Sequence, residues 1–477
     1  MPLTILSDND VKSLLHSLTR ADILKLQQSL ADALHYYSTS TADDAEGGGC
    51  CSTYQPPRTH LKRRDGGTTL FMPASSNEGM GVKTVTLSGG GGNTAPSSEA
   101  SSVADASTSL SSLSIKSATE STKSSLHDSN ASKPTTAARG ALTLLDASGS
   151  PRALINAQEL TAFRTALAST MLFNKRANVH DVTVFGAGKQ AYWHIRLALL
   201  LRGEEVHHVN VVNRSFERAR ELIMSLFKPD ECDEDEEEGG RGGRGREPLH
   251  RPKIALLTPL HTDYSLHLKN HVRSSSALFL CTPSRSPLFP HNYLTSTSGR
   301  TKGRYVAAIG SYTPEMIELP VEVLWQAVKG EKGQVSHHRH AREGGAVVVD
   351  SVEGAVREAG EIVQAGVGGE GLVELGELVM LGREARGRRE REEEKRSRSK
   401  SKTTRRLSRS KSRGRKSFDG EGVEVKDGGG DGGLRDWLER GNVIYKSVGL
   451  GLMDVVVGNN LVELADQRGV GTRILDF

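Results

Sequence analysis

A chain of 477 residues is long enough for two or three domains with cores of their own. Only 36% of the residues are hydrophobic while glycine alone contributes 51, so part of the chain is expected to remain outside any packed core. A net charge of +4 conceals blocks of opposite sign, no apolar run reaches the length of a membrane span, and Met1 to Asp10 lacks the basic and apolar regions of a signal peptide.

Cys50, Cys51, Cys232 and Cys281 show no metal-ligand spacing, and they read as reduced thiols of a cytoplasmic protein that carries no metal. Ser7 to Asp10 supplies helix-capping residues ahead of Val11, Leu14 and Leu15. A second helix is predicted over Arg20 to Tyr36, with Ile23, Leu24, Leu26, Leu30 and Leu34 on its apolar side. Short strands follow at Thr68–Met72 and Gly81–Leu87, with Arg58 ahead of them. Residues 88–139 are mostly Ser, Thr, Ala and Gly, which cannot bury enough surface to offset the entropy of ordering, and they read as a disordered insertion. Ala141–Leu145 and Arg152–Ile155, joined by Ala147-Ser148-Gly149-Ser150-Pro151, read as a hairpin, and Gln158–Phe173 as a helix.

The chemistry-bearing stretch comes next. Val182-Thr183-Val184-Phe185 runs into Gly186-Ala187-Gly188-Lys189-Gln190-Ala191 and then a long apolar-periodic segment, the strand, glycine turn and helix of a dinucleotide-binding unit. The first glycine permits the tight turn, the second clears the approach of a pyrophosphate, and Ala191 lets the helix lie close to the strand. Strand and helix patterns then alternate through Val206–Val212, Phe216–Phe227, Ile254–Leu257, Ala277–Cys281, Tyr305–Ile309, Val347–Val349 and Val352–Ala359, which predicts a parallel sheet covered on both faces. Surface loop expansions near 229–250 and 331–345 interrupt it.

Where an NAD-specific unit places a carboxylate for the ribose, the second strand ends Asn213-Arg214-Ser215, which favours the 2′-phosphate of NADPH over NADH. Thr282 and Gly310-Ser311 fall on the strand ends where open α/β sheets place ligands. Residues 383–433 form an Arg/Ser-rich insertion, read as disordered. Its Arg-Ser run, Ser397–Lys416, either contacts the phosphates of RNA or is a solvated loop, and the solvated loop is the favoured reading. Arg58, Lys83 and Arg164 are cations in apolar contexts. Each requires an anion, either a structural Asp or Glu or the carboxylate of a substrate.

Ordered blocks along the chain resemble the ornithine cyclodeaminase and mu-crystallin family: Leu6-Ser7 with Asp10-Val11, Met72-Pro73, Gly81-Val82-Lys83-Thr84, Leu160-Thr161-Ala162 with Arg164-Thr165-Ala166, Gly186-Ala187-Gly188-Lys189-Gln190, Asn213-Arg214-Ser215, Thr282-Pro283, Ala308-Ile309-Gly310-Ser311, Glu318-Leu319, and Lys446-Ser447-Val448-Gly449 with Asp454. The resemblance implies an α/β fold with a Rossmann NAD(P)-binding domain over 176–382 and an α+β substrate and dimerisation domain from 1–87, 140–175 and 434–477, working as a homodimer. It implies a substrate carboxylate held by Arg58, Lys83 and Arg164 beside the nicotinamide, with Lys83 catalytic. Gly186, Ala187, Gly188, Lys189, Gln190, Asn213, Arg214, Ser215, Thr282 and Ser447 would then contact or approach the cofactor. Ornithine cyclodeaminases place a Glu in the strand that here reads Thr69-Leu70-Phe71-Met72-Pro73, and an Asp shortly after the glycine that ends the fifth strand. This chain offers Leu70 and Tyr312 at those places. The expectation is therefore an NADPH-dependent oxidoreductase of an imine or ketimine carboxylate or an amino acid. The alternatives are conversion of ornithine to proline and ammonia with recycled NAD, and a non-catalytic NADPH-dependent ligand-binding protein.

Overall fold

The computed structural model describes residues 2–39, 51–53, 55–64, 66–87, 139–228, 247–329, 345–384, 387, 391, 431–475 and 477. The insertions expected over 88–139, 229–250, 331–345 and 383–433 lie largely outside the described residues.

In chain order the N-terminal half contributes β1 (Leu3–Leu6), α1 (Asp8–His16), α2 (Arg20–Thr39), β2 (Thr59–Lys62), β3 (Thr68–Ser76), β4 (Gly79–Leu87), β5 (Arg139–Leu145), β6 (Pro151–Asn156) and α3 (Ala157–Phe173). Local chemistry sets the ends of these elements. The Ser7 hydroxyl accepts from the Asp10 amide while the Asp10 carboxylate accepts from the Ser7 amide, a capping box that starts α1. Asp146 accepts from the amides of Ser148 and Ser150, and Gly149, at φ +86°, closes the β5–β6 turn. These strands and the last one, β15 (Thr472–Ile474), form a seven-stranded sheet in the order β15-β1-β6-β5-β4-β3-β2, antiparallel except for the β1–β6 pair.

The second half supplies β7 (Asp181–Phe185), α4 (Lys189–Arg202), β8 (His208–Val212), α5 (Phe216–Phe227), β9 (Lys253–Leu257), α6 (Tyr264–Ser274), β10 (Ala277–Leu280), α7 (Asn292–Thr295), β11 (Tyr305–Ala308), α8 (Val321–Val328), β12 (Val347–Val349), α9 (Val352–Glu358), α10 (Gly360–Ala365), β13 (Leu372–Glu374) and a helix over 375–384, α11. After these come α12 (Asp431–Arg440), β14 (Val443–Lys446) and α13 (Gly451–Arg468). The eight strands β13-β12-β14-β11-β10-β7-β8-β9 form one parallel sheet, as the alternation of strand and helix predicts. The order turns back between β7 and β10, which is the switch point where such sheets bind ligands.

The segment 434–477, expected whole in the substrate domain, divides between the two halves. β14 inserts between β11 and β12 of the parallel sheet, because Val443, Ile444 and Tyr445 form a run buried on both faces. α13 then crosses to the antiparallel sheet and packs on β3, β4 and β5. Helix α3 is buried on nearly every side because it lies against α4 and α13 and touches β5 and β11, so it joins the two sheets. Of the apolar positions expected on α2, Ile23, Leu26, Leu30 and Leu34 are buried and Leu24 is exposed. β1, β2, β13 and β15 were not expected from the sequence; they have only three or four residues each.

Gly458 is the point of close approach between α13 and the antiparallel sheet, where an added Cβ would stand 2.6 Å from Leu142 Cδ2 and 3.3 Å from Leu144 Cδ1. Gly458→Val is expected to lower stability by about 1–3 kcal/mol through overpacking. A urea midpoint equal to that of wild type would refute this account of the contact.

Candidate active site between the two sheets

The glycine turn follows directly from the end of β7. Gly186 has φ +104°, and a Cβ there would sit 2.7 Å from the carbonyl oxygen of Cys281, so only glycine lets β7 and β10 end side by side. At Gly188 the position of a Cβ is open, with no atom within 4 Å. Helix α4 begins at Lys189, and its first-turn amides lack intrahelical acceptors. This is a concavity lined by backbone N–H groups at a helix start, and it fits a pyrophosphate. Burial pushes the pKa of His194 down to about 4, so the ring is neutral, and its Nδ1 lies 2.8 Å from the Gln190 carbonyl, which pins the first turn of α4.

A cluster of charges lies beyond this edge. Lys83 from β4 and Arg164 from α3 both reach Asp454 on α13: Lys83 Nζ is 2.8 Å and Arg164 Nε 3.2 Å from the same oxygen, Oδ1. Asp454 Oδ2 is buried without a hydrogen-bond partner. Burial pushes Lys83 down to about 8, against the pull of Asp454 and with the help of Arg164 and Arg58. Arg58 is ion-paired with Glu358 of α9 and lies within electrostatic reach of Arg164; burial lowers it to about 10. Two cations on one carboxylate leave an uncompensated positive charge, a setting that favours an additional anion.

The loop from β14 to α13 joins this cluster to the parallel sheet. Asp350, at the end of β12, accepts from Ser447 Oγ at 3.0 Å, from the Val448 amide at 3.1 Å and from the Gly449 amide at 2.7 Å. Gly449 has φ +94°, and a Cβ there would come within 2.8 Å of the Arg164 guanidinium, so the loop passes directly over the buried arginine. A cleft opens here, lined on one side by Arg58, Met72 and Pro73 and on the other by Ser351, Glu358 and Gly449.

A second buried network shapes the ends of β10 and β11. Glu318 accepts from the Thr282 amide (2.6 Å) and hydroxyl (2.9 Å) and from the amides of Gly310 (2.6 Å) and Ser311 (3.3 Å). Its own amide donates to Glu361, which is paired with Lys446 at 3.2 Å. Burial raises Glu318 to about 7; Lys446 opposes the shift and Glu361 adds to it. A Cβ at Gly310 would fall 2.1 Å from the Thr282 carbonyl, so the two strand ends touch backbone to backbone.

The structure brings Arg58, Lys83 and Arg164 together, and each is met by an internal carboxylate. Gly186, Ala187 and Gly188 form the turn, and Gln190 stands in the first turn of α4. Lys189 turns its side chain away to Glu159 (2.7 Å), tying α4 to α3. Asn213 Nδ2 donates to the Ser215 carbonyl, and Ser215 Oγ caps α5 through the Arg218 amide, while Arg214 is exposed. Thr282 and Ser447 spend their hydroxyls on Glu318 and Asp350. Sequence reasoning assigned no role to Asp454, Asp350, Glu318 or Glu358. One signal was available: an aspartate inside the apolar run Leu452-Met453-Asp454-Val455-Val456-Val457 needs a buried cation.

No family model matches the chain. The uncharacterized protein YGL159W of Saccharomyces cerevisiae is 29% identical over 249 residues, which are 46% of this chain and 58% of that protein. The chain thus spans about 58% of the length of the curated relative it matches. Among solved structures it is similar to an archaeal alanine dehydrogenase dimer with bound NAD (TM-score 0.57, 17% identity, 100% of each chain). It is also similar to the Δ1-pyrroline-2-carboxylate reductase of Thermococcus litoralis in complex with NADH and L-proline (TM-score 0.56, 17% identity, 99% of this chain and 100% of that one). These likenesses establish a Rossmann-type α/β fold with a second α+β unit.

The buried cations carry a pH signature. Lys83 has a folded value near 8 and an ordinary value of 10.5, so between these pH values the unfolded chain binds more protons and stability rises with pH. Below pH 8 the penalty for burying the ammonium is fully present. Lys83→Met removes this contribution, so the advantage of wild type over the variant in urea unfolding is expected to grow from pH 8 to pH 10. Parallel pH profiles would show that burial does not lower the Lys83 pKa, so that the ammonium keeps its proton in the folded chain through this range.

Proposed function

We propose that the protein is an NADPH-dependent oxidoreductase that interconverts an imine or ketimine carboxylate and the corresponding amino acid. The observation that carries this reading is the pairing of Lys83 and Arg164 on one oxygen of Asp454, beside a cleft reached by Arg58 and by the loop that leaves the parallel sheet. Such a cluster attracts a carboxylate, and the open position at Gly188 supports a nucleotide at the adjoining sheet edge. The solved structures with this fold include a reductase bound to NADH and L-proline, which supports the same substrate class.

A bound nicotinamide would supply or accept hydride. The protein's own residues supply the rest. Arg164, with Arg58 released from Glu358, holds the substrate carboxylate. Lys83, lowered to about 8, gives a proton to the substrate nitrogen or takes one from it near neutral pH, and Asp454 keeps the lysine positioned. Arg214, exposed at the end of β8, would hold the 2′-phosphate of a bound cofactor and so favour NADPH. Leu70 and Tyr312 in place of the carboxylates of ornithine cyclodeaminases favour reduction over the lyase reaction.

The purified full chain is expected to oxidise NADPH in the presence of cyclic ketimine carboxylates. Lys83→Met should lower kcat by about 10²–10⁴ with cofactor affinity unchanged, and Arg214→Ala should weaken NADPH but not NADH. Cofactor binding with no turnover across cyclic and linear imino acids would favour a ligand carrier, and proline released from ornithine without net cofactor consumption would favour the lyase.

The same reading includes a homodimer. The face of the antiparallel sheet turned away from α13 exposes Phe71, Met80, Val82 and Leu154, and Val82 and Leu154 both pair with Thr143 in neighbouring strands. These exposed apolar side chains, with Thr143 between Val82 and Leu154, suit a second copy presenting the same strands. Sedimentation should give a dimer for wild type and a monomer for Val82→Glu/Leu154→Glu; a monomeric wild type at micromolar concentration would reject this interface.

A further inference from the structure

The opposite edge of the parallel sheet, where its strands begin, carries a group of side chains that the proposed reaction does not use. β7 starts at Asp181 and β8 at His208, and the two residues are register partners on adjacent parallel strands. Parallel pairing therefore places an imidazole next to a carboxylate, and the preceding residue, His180, adds a second imidazole. His208 Nδ1 is 2.8 Å from Asp181 Oδ1 and His180 Nδ1 is 3.2 Å from Asp181 Oδ2. One ligand atom from each of the three residues fits within a 4.8 Å span.

The backbone holds this arrangement. The His180 carbonyl accepts from the amides of His207 (2.9 Å) and His208 (3.2 Å), and the His207 ring stacks on that of His180 with centroids 4.3 Å apart. Side-chain exposures of 46% for His180, 21% for Asp181 and 38% for His208 leave one side open, enough for water to complete a coordination shell.

We infer that His180, Asp181 and His208 form a binding site for a divalent transition metal ion of the zinc type, clipping the starts of β7 and β8 together. Two imidazoles and one carboxylate are borderline donors, suited to Zn²⁺ or Co²⁺ and unlike the all-oxygen shells of Ca²⁺ or Mg²⁺. Ligand atoms around a tetrahedral zinc at roughly 2.1 Å stand about 3.4 Å apart. The 2.8 Å and 3.2 Å separations, one to each oxygen of Asp181, are close to that value, and one ligand atom from each of the three residues lies within 4.8 Å of the others. The ion replaces the protons that each imidazole otherwise shares with Asp181. An opposing charge stands close by: the Lys302 ammonium, which is bonded to the Ser274 carbonyl, lies within electrostatic reach of Asp181.

The test uses the full chain, freed of any affinity tag and stripped of metal, titrated with Zn²⁺ in competition with a chromophoric chelator at pH 7.5. The sequence also carries His337, His338 and His340, which can take up zinc on their own, so the decisive quantity is the difference between variants. Wild type should bind one equivalent that is weakened at least tenfold in His180→Ala and in His208→Ala, retained in His338→Ala, and tightened in Lys302→Met. Substituting Co²⁺ should give visible tetrahedral bands in wild type that both site variants lack. His180→Ala alters a half-exposed side chain, and an unchanged near-ultraviolet circular dichroism spectrum shows that it folds. Equal stoichiometry and affinity in wild type, His180→Ala and His208→Ala would overturn the assignment.

Discussion

Much of the structure depends on one buried carboxylate. Asp454 is fully inaccessible, and placing its charge there would cost several kcal/mol without partners. Its partners come from distant parts of the chain, Lys83 on β4 and Arg164 on α3, so satisfying one oxygen brings a helix of the C-terminal segment, a strand and the bridging helix α3 to a single point. The requirement is mutual. Either cation left alone would also be a buried charge, and α13, α3 and the antiparallel sheet therefore have one arrangement in which all three groups are paired. The surplus positive charge that remains makes the same point suitable for binding an anion.

Around the glycine turn the parallel sheet is held by the same kind of interaction. Glu318 gathers four donors from the ends of β10 and β11, and Asp350 gathers three from the loop between β14 and α13. Both are carboxylates buried at the ligand-bearing edge, where they take up backbone amides that short loops would otherwise leave unsatisfied. These bonds fix the edge without a ligand, which lowers the ordering cost of binding. A consequence concerns Thr282 and Ser447: their hydroxyls are committed to Glu318 and Asp350, so they shape the edge through their backbone positions.

What the sequence made legible follows local rules. The capping box at Ser7 and Asp10, the turn at Asp146 to Gly149, and the strand, turn and helix around Gly186 and Gly188 depend on neighbours within a few residues, and they can be read directly. The alternation from β7 to β12 depends on apolar periodicity and was equally readable. Long-range pairing was not. Nothing near Val443–Lys446 indicates that this strand enters the sheet between β11 and β12, since its hydrogen-bond partners lie about a hundred residues or more earlier in the chain. Lys189 illustrates the same limit: its place in the glycine motif is local, whereas the pairing of its side chain with Glu159 depends on where α3 packs. Arg58, Lys83 and Arg164 were recognised as cations that need anions, but the identity of those anions depended on where α13 and α9 pack.

The same distinction explains how the fold accommodates residues 88–138 within a hairpin. Thr86 and Arg139 are register partners, so the chain leaves β4 and re-enters β5 at adjacent positions. Each doubling of a connection's length adds only about 0.6 kcal/mol of closure entropy. That is small beside the pairing of β4 with β3 along nine residues and of β5 with β6 on its other side. Register here is imposed from the flanking strands and by Lys83, whose ammonium must reach Asp454 from the middle of β4. A one-residue slip would turn Lys83 to the opposite face and leave both Asp454 and Arg164 with an altered balance of buried charge. The group proposed to act in catalysis therefore also fixes the register of the strand that carries it.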